Sequence, residues 1–312
     1  MLPLISELHD PGIFRTVLES LQLGICLVDR HHIISFWNDG AERITGYHRH
    51  EVMGHSCRDN ILLTCNEQGC VLCGAACPLV HTLHDGRPRE ARLLLRHKEG
   101  HHVPVRLCLA PVRDSHGSII GMVESFDEQR FASERDRRQN NLAVYGCLDE
   151  ITGVPNREFT QFHLRENLAS FAQYHVPFGI MCIRVDRLKE FSSSYGREAG
   201  DAILRVVAHT IQNSLRPTDF FGRWTEDRFL AILMNCTVTE VATANERIQR
   251  LIGVAELRWW GDQLLVTTSV GHAAAQGGDT LELLLERAQR SMDEGPQRRR
   301  AVAASGQSDT KS

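Results

Sequence analysis

Apolar residues recur along the chain in two rhythms, and the switches between them mark out the elements. Phe14, Val17, Leu18 and Leu21 keep helical spacing. The run Gly24-Ile25-Cys26-Leu27-Val28-Asp29 then reads as a strand, and Ile33 to Asn38 as a second. Helical spacing returns in Ala41, Ile44 and Val52. Three longer runs, Ala91 to His97, Val103 to Val112 and Ile119 to Phe126, are separated by Lys98-Glu99-Gly100 and Asp114-Ser115-His116-Gly117. These turn residues predict an antiparallel meander. From Asp127 to Cys147 apolar positions are sparse and charge is dense. The absence of Gly and Pro before Gly146 predicts a helix whose seam is too thin for a strong coiled coil.

The second half alternates more regularly. Phe159, Phe162, Leu164, Leu168 and Phe171 predict a helix, Phe178 to Asp186 a buried strand, and Ala202 to Leu215 a helix. Arg216 to Leu233 reads as two strands around a tight turn. A helix over about Glu240 to Gly253, a strand from Leu264 to Val270 ending at Gly271, and an amphipathic helix through Leu281, Leu284, Leu285 and Ala288 complete the pattern. Helices alternating with strands predict an α+β class. Arg298-Arg299-Arg300 and the Ser/Ala/Gly-rich end predict a disordered tail over 298–312.

Composition bounds the function. A length of 312 residues suggests two domains, and 42% apolar residues suffice for two cores. With 35 Lys and Arg against 39 Asp and Glu, the net charge of −4 favours neither nucleic acid nor an anionic membrane. The first ten residues lack the basic start and apolar core of a secretory signal, and no run approaches the roughly 18 apolar residues of a membrane span. The expected compartment is the cytoplasm, where the ten cysteines should be thiols or metal ligands.

Gly24 to Asp29, Trp37-Asn38, Ala41-Glu42, Thr45-Gly46-Tyr47 and Glu51-Val52-Met53-Gly54, with the three closing strands, resemble a PAS domain over residues 13–127. That resemblance implies an antiparallel sheet with flanking helices that can cup a small ligand. Residues 1–12 precede it as a short segment. A helical linker over 128–148 follows, read either as a signalling helix acting through dimer geometry or as a solvated spacer. Within the PAS stretch, loop 57–78 carries Cys65, Cys70, Cys73 and Cys77, with Cys57 just upstream. Thiols at these gaps can wrap one ion, so zinc or an iron–sulfur cluster is a candidate. Reversible thiol oxidation and inert packing are the alternatives. His55, His81 or His84 can complete such a site or serve a haem.

Asp149-Glu150-Ile151-Thr152-Gly153-Val154-Pro155-Asn156-Arg157 closely resembles the opening motif of GGDEF domains, which condense two GTP into cyclic di-GMP. The resemblance covers residues 149–297 and implies an α/β sandwich related to the adenylyl cyclase fold. It also implies Mg2+ held by one carboxylate at the end of the first strand and another on the hairpin. Here those signature positions depart. Arg184 stands at the first-strand metal position, Thr225 and Glu226 replace two glycines, Asp227 keeps the acidic place, and Arg228 reverses the next charge. The base-recognising asparagine falls at Ser192 and a phosphate-binding lysine at Pro296. Lys189 and Asp201 still match phosphate- and guanine-contacting positions. Arg216-Pro217-Thr218-Asp219 matches the family's inhibitory R-x-x-D, where arginine and aspartate bind cyclic di-GMP.

These residues predict a signal-transduction protein: a PAS sensor joined to a GGDEF domain with its cyclase chemistry dismantled, binding cyclic di-GMP through Arg216 and Asp219. The enzyme alternative is a weak or altered diguanylate cyclase using Asp186 with Asp227 and Mg2+ on GTP. A third reading is a scaffold whose second domain meets only a protein. A homodimer and a downstream protein partner are expected; nucleic acid and membrane insertion are not.

Overall fold

The computed structural model describes residues 11–57, 59, 61–66, 70–72, 77–128, 146–253, 256–259 and 262–305. The chain divides into two units, Met1–Arg130 and Phe131–Ser312. Most of the linker expected over 128–148 and of segment 1–12 lies outside the described residues. Among the described residues no helix is long and apolar enough to cross a membrane.

The first unit begins with α1 (Pro11–Ser20), which starts inside the stretch read as a leading segment. It continues as β1 (Gly24–Asp29), β2 (Ile34–Trp37), α2 (Asp39–Thr45), α3 (Arg49–Val52), β3 (Thr64–Cys65), α4 (Pro78–Asp85), β4 (Arg89–Arg96), β5 (His102–Arg113) and β6 (Ile119–Glu128). The strands form one antiparallel sheet in the order β2-β1-β6-β5-β4-β3. Its core gathers Val28, Trp37, Ile44, Leu95, Val105 and Phe126.

Asn38 explains why the chain turns from strand to helix where it does. The buried carboxamide oxygen accepts from Ile25 N (2.8 Å) and Ala41 N (2.9 Å), and Nδ2 donates to Leu18 O and Leu23 O (both 2.9 Å). One side chain thereby caps α2 and ties it to β1 and α1. The helix ends at Gly46, whose φ of 75° lies in the left-handed region.

Glu124 on β6 is a buried carboxyl in this sheet. It lies opposite Cys26 on β1 and Leu109 on β5 and is only 5% exposed. Burial pushes its carboxyl from an ordinary 4.5 up to about 7. The folded state therefore holds this proton more tightly than the unfolded chain does. Stability is unpenalised below pH 4.5 and falls as pH rises toward 7, by about 3 kcal/mol in all. We expect Glu124→Gln to abolish that slope, read from denaturant midpoints at pH 5 and pH 8; an unchanged slope would place the titration elsewhere.

The second unit comprises α5 (Arg157–Tyr174), β7 (Phe178–Val185), α6 (Leu188–Tyr195), α7 (Arg197–Ser214), β8 (Phe220–Arg223), β9 (Arg228–Met234), α8 (Val238–Gly253), β10 (Glu256–Trp259), β11 (Asp262–Leu265), β12 (Thr268–Ala274) and α9 (Leu281–Ser305). Its main sheet runs β12-β7-β9-β8, antiparallel throughout, and β10 with β11 forms a separate hairpin. Alternation along β7 sorts the layers. Met181, Ile183 and Val185 meet Ile203, Val207 and Ile211 of α7, whereas Phe178, Ile180 and Cys182 meet Leu164 of α5 and Leu284 and Met292 of α9.

Two expectations are corrected. The single strand over 264–270 is two strands in different sheets, since the β-branched run Val266-Thr267-Thr268 hides the crossover from pattern alone. Gly271 is not its stop: a Cβ there would meet the Ala288 carbonyl at 2.0 Å, so this glycine lets α9 lie against β12. Of the tail expected over 298–312, residues 298–305 continue α9, and 306–312 lie outside the described residues.

Candidate functional site

The hairpin of the second unit closes over four residues, Trp224 to Asp227, with the Trp224 and Thr225 N–H groups donating to Arg228 O. Arg223 holds the turn from beneath. Its guanidinium donates to the carbonyls of Thr225 and Glu226 and to Asp149 Oδ1 at 3.0 Å, and its face lies 5.8 Å from the Phe229 ring. Asp149 in turn accepts from both the N–H and the hydroxyl of Thr152. The Arg223 N–H donates to Pro155 O at 2.7 Å, and Asn156 caps α5. The Asp149–Arg157 motif is thus a bracket that seats the hairpin. Arg223 is 7% exposed, so truncating it strands a carboxylate and two carbonyls. Arg223→Ala should cost about 2–4 kcal/mol, checked by hydrogen exchange of the β8 and β9 amides; a loss well under 1 kcal/mol would refute the bracket.

At the open end of the sheet, Arg184 on β7 lies directly opposite Arg228 on β9. Like charges in that register repel. Each guanidinium has a carboxylate 3.8 Å away, Asp186 for Arg184 and Asp227 for Arg228. Asp186 Oδ1 also accepts from the Ser269 hydroxyl at 2.7 Å, and Asp227 Oδ1 from the Thr225 hydroxyl at 3.2 Å. Arg228 further donates to Gln289 on α9 at 2.7 Å. Strand β7 ends at Val185, and Arg187, with a φ of 56°, turns the chain into α6, so Asp186 stands on the turn. Val185 N donates to Asp227 O at 2.8 Å, setting the two aspartates in neighbouring stretches. Mg2+ requires oxygen ligands in near-octahedral array. With a guanidinium at one metal position, and both aspartates engaged by cations and hydroxyls, the donor set does not suit it.

The R-x-x-D is built differently. The turn between α7 and β8 is closed by Asp219 N donating to Arg216 O, while Asp219 Oδ2 accepts from Arg216 N and Oδ1 from Met234 N. Partial burial is the largest influence on the Asp219 carboxyl and raises it, against those two hydrogen bonds. Each oxygen retains a second lone pair. Among the described residues the Arg216 guanidinium makes no ion pair within 4.0 Å, although its side chain is exposed beside Asp219. Both residues line a cavity of about 150 Å³ with Met234, Cys236, Glu240 and Arg247. Arg247, anchored to Ser214 O at 2.8 Å, has no counterpart in the sequence reading. Its only sequence trace is helical spacing with Glu240 and Thr243 on α8.

The other candidates are scattered. Lys189 is exposed on α6, and Asp201 on α7 sits 3.9 Å from Arg197 one turn earlier. Ser192 packs beneath Gly200, where a Cβ would come within 2.2 Å of its hydroxyl. Pro296 lies within α9. In the first unit Cys65 is buried, with Sγ 3.8 Å from His102 Nε2; Cys70 is exposed, Cys77 half-buried, and Cys73 lies outside the described residues. Among the described residues these thiols do not form a group of three with ligand atoms within 4.8 Å of one another.

A six-stranded sensor-type sheet followed by an α+β unit with a charged hairpin defines a two-module signalling protein. Residues 22–129 match the PAS domain family, and residues 147–301 the family described as Diguanylate cyclase, GGDEF domain. The chain is therefore a PAS domain followed by a GGDEF domain, related to the diguanylate cyclases. It is 25% identical over 258 residues to the probable diguanylate cyclase DgcE of Escherichia coli, covering 81% of this chain and 22% of that one. It is 26% identical over 167 residues to the diguanylate cyclase DgcP of Pseudomonas aeruginosa, covering 53% of this chain and 24% of that one. The chain thus spans about a quarter of the length of these relatives. Among solved structures, the diguanylate cyclase SiaD of Pseudomonas aeruginosa with its activator SiaC is similar at 26% identity and a TM-score of 0.48, covering 53% of this chain and 65% of that one. The GGDEF domain of DgcB from Caulobacter crescentus in complex with c-di-GMP is similar at 23% identity and a TM-score of 0.47, covering 48% and 90%.

Proposed function

We propose that the second unit is a cyclic di-GMP receptor without cyclase activity, coupled to input at the PAS domain. The observation that carries this reading is the contrast between two charged sites on one sheet. At the hairpin end Asp186 and Asp227 each face a guanidinium, and a cation already occupies the place where metal chemistry needs an oxygen ligand. At the R-x-x-D the Arg216 guanidinium is unpaired among the described residues, and Arg247 adds a second positive group to the same cavity. Two guanidinium forks can stack on guanine or clamp phosphate, and Asp219 can accept from guanine N–H groups.

Calorimetric titration of nucleotide-free protein with cyclic di-GMP should give saturable binding that persists when magnesium is chelated. Arg216→Ala should weaken it by at least tenfold, and Arg247→Ala by a similar factor. Unchanged affinity in Arg216→Ala would remove the receptor reading. The second reading, a residual cyclase using Asp186 with Asp227, rests on the backbone bond that brings their stretches together. It requires magnesium-dependent consumption of GTP, and inertness of the pure protein would end it.

A further inference from the structure

We propose that His97, Glu99 and His101, in the turn joining β4 and β5 of the PAS domain, form a binding site for one divalent transition-metal ion of the zinc type. Among the described residues this is the trio of His, Cys, Asp or Glu whose ligand atoms all lie within 4.8 Å of one another. Its three residues belong neither to the cysteine loop nor to the second unit in sequence.

The turn's own hydrogen bonds create the cluster. His97 N donates to His101 O, and Gly100 N to His97 O, both at 2.8 Å, with Gly100 at a φ of 93°. This closure sets the two imidazoles side by side, ring centroids 4.3 Å apart and planes inclined by 22°. Glu99 lies between them in sequence and reaches back to both: Oε2 is 3.9 Å from His97 Nδ1 and 4.0 Å from His101 Nδ1. The Glu99 N–H donates to His97 Nδ1 at 3.1 Å. That bond aims the Nδ1 lone pair into the turn, and a bound cation takes its place.

The site is also held in position. Gly46 lies flush against the His97 ring, where a Cβ would come within 2.4 Å. Lys98 N donates to Thr45 O at 2.8 Å, and Lys98 Nζ pairs with Glu51 at 2.5 Å. The turn is therefore pinned to the ends of α2 and α3, with both imidazoles largely covered and the carboxylate open to solvent. Metal–nitrogen and metal–oxygen bonds of about 2.0–2.2 Å set tetrahedral donors about 3.3 Å apart, so a contraction of at most about 1.5 Å completes the site. Two imidazoles with one carboxylate favour zinc, cobalt, nickel or copper over magnesium or calcium.

Untagged full-length protein is titrated with Co2+, followed by visible absorption, and with Zn2+ by calorimetry. One Co2+ per chain should bind with d–d bands characteristic of nitrogen and oxygen ligands, and Zn2+ should displace it. Glu99→Gln, at a side chain 71% exposed and so remote from the fold's stability, should weaken binding at least tenfold; His101→Ala should abolish it. No saturable binding, equal affinity in Glu99→Gln, or a thiolate charge-transfer band accounting for all the bound ion would each overturn the proposal.

Discussion

Two guanidinium groups directly opposite each other on neighbouring strands repel, and the end of the GGDEF sheet is arranged around that fact. Arg184 and Arg228 cannot both stand there unless each is neutralised close by, and Asp186 and Asp227 do so. The aspartates of the sheet end are thereby drawn into balancing charge. Unit charges about 4 Å apart near a protein surface interact by on the order of 4 kcal/mol before solvent and entropy reduce it. A divalent cation entering this end would meet two positive groups and find its carboxylates engaged. The two arginines also engage both carboxylates of this end.

Beneath this altered end the scaffold is intact, and a separate set of contacts explains why. Arg223, Asp149, Thr152 and Pro155 bind the hairpin to the start of α5 through hydrogen bonds that involve neither nucleotide nor metal. Gly222 belongs to the same set, since a Cβ there would meet Thr160 Oγ1 at 2.0 Å. Arg223 meets residues 225 and 226 through their backbone carbonyls, so this bracket does not depend on the side chains at 184, 225, 226 and 228. The fold can therefore persist while the charged end changes.

Most elements are legible in apolar spacing. The continuous apolar runs of β7 and β9 mark strands buried on both faces, and the 3.6-residue stripe of α7 marks a helix buried on one. The hairpin and the R-x-x-D followed from local order, since both are contiguous. Arg247 was not legible. It lines one cavity with Arg216 and Asp219 only because α8 packs against β12, β7 and α7, contacts that its neighbours in sequence do not record. The turn at 98–100 was read correctly as hairpin chemistry, yet its flanking histidines were not connected. Their meeting follows from residues on either side of a three-residue loop facing each other, a rule as local as the turn itself. Gly295-Pro296 and the following arginines suggest an end in sequence, whereas α9 continues through them to Ser305.

The two charged sites of the GGDEF unit also differ in what a ligand would have to undo. At the hairpin, metal binding would displace two ion pairs and two hydroxyl hydrogen bonds and leave both arginines facing the incoming charge. At the R-x-x-D, Asp219 is already oriented by two backbone N–H groups, so its remaining lone pairs are directed at no entropic cost. Ordering the exposed Arg216 side chain costs roughly 2 kcal/mol of rotamer entropy, which charge-assisted hydrogen bonds of about 1.5–3 kcal/mol each can offset. Arg247 is held by its bond to Ser214 O, so its placement beside the cavity requires little further ordering. The balance favours a dianionic ligand with hydrogen-bonding bases at this cavity over a metal-bound triphosphate at the hairpin.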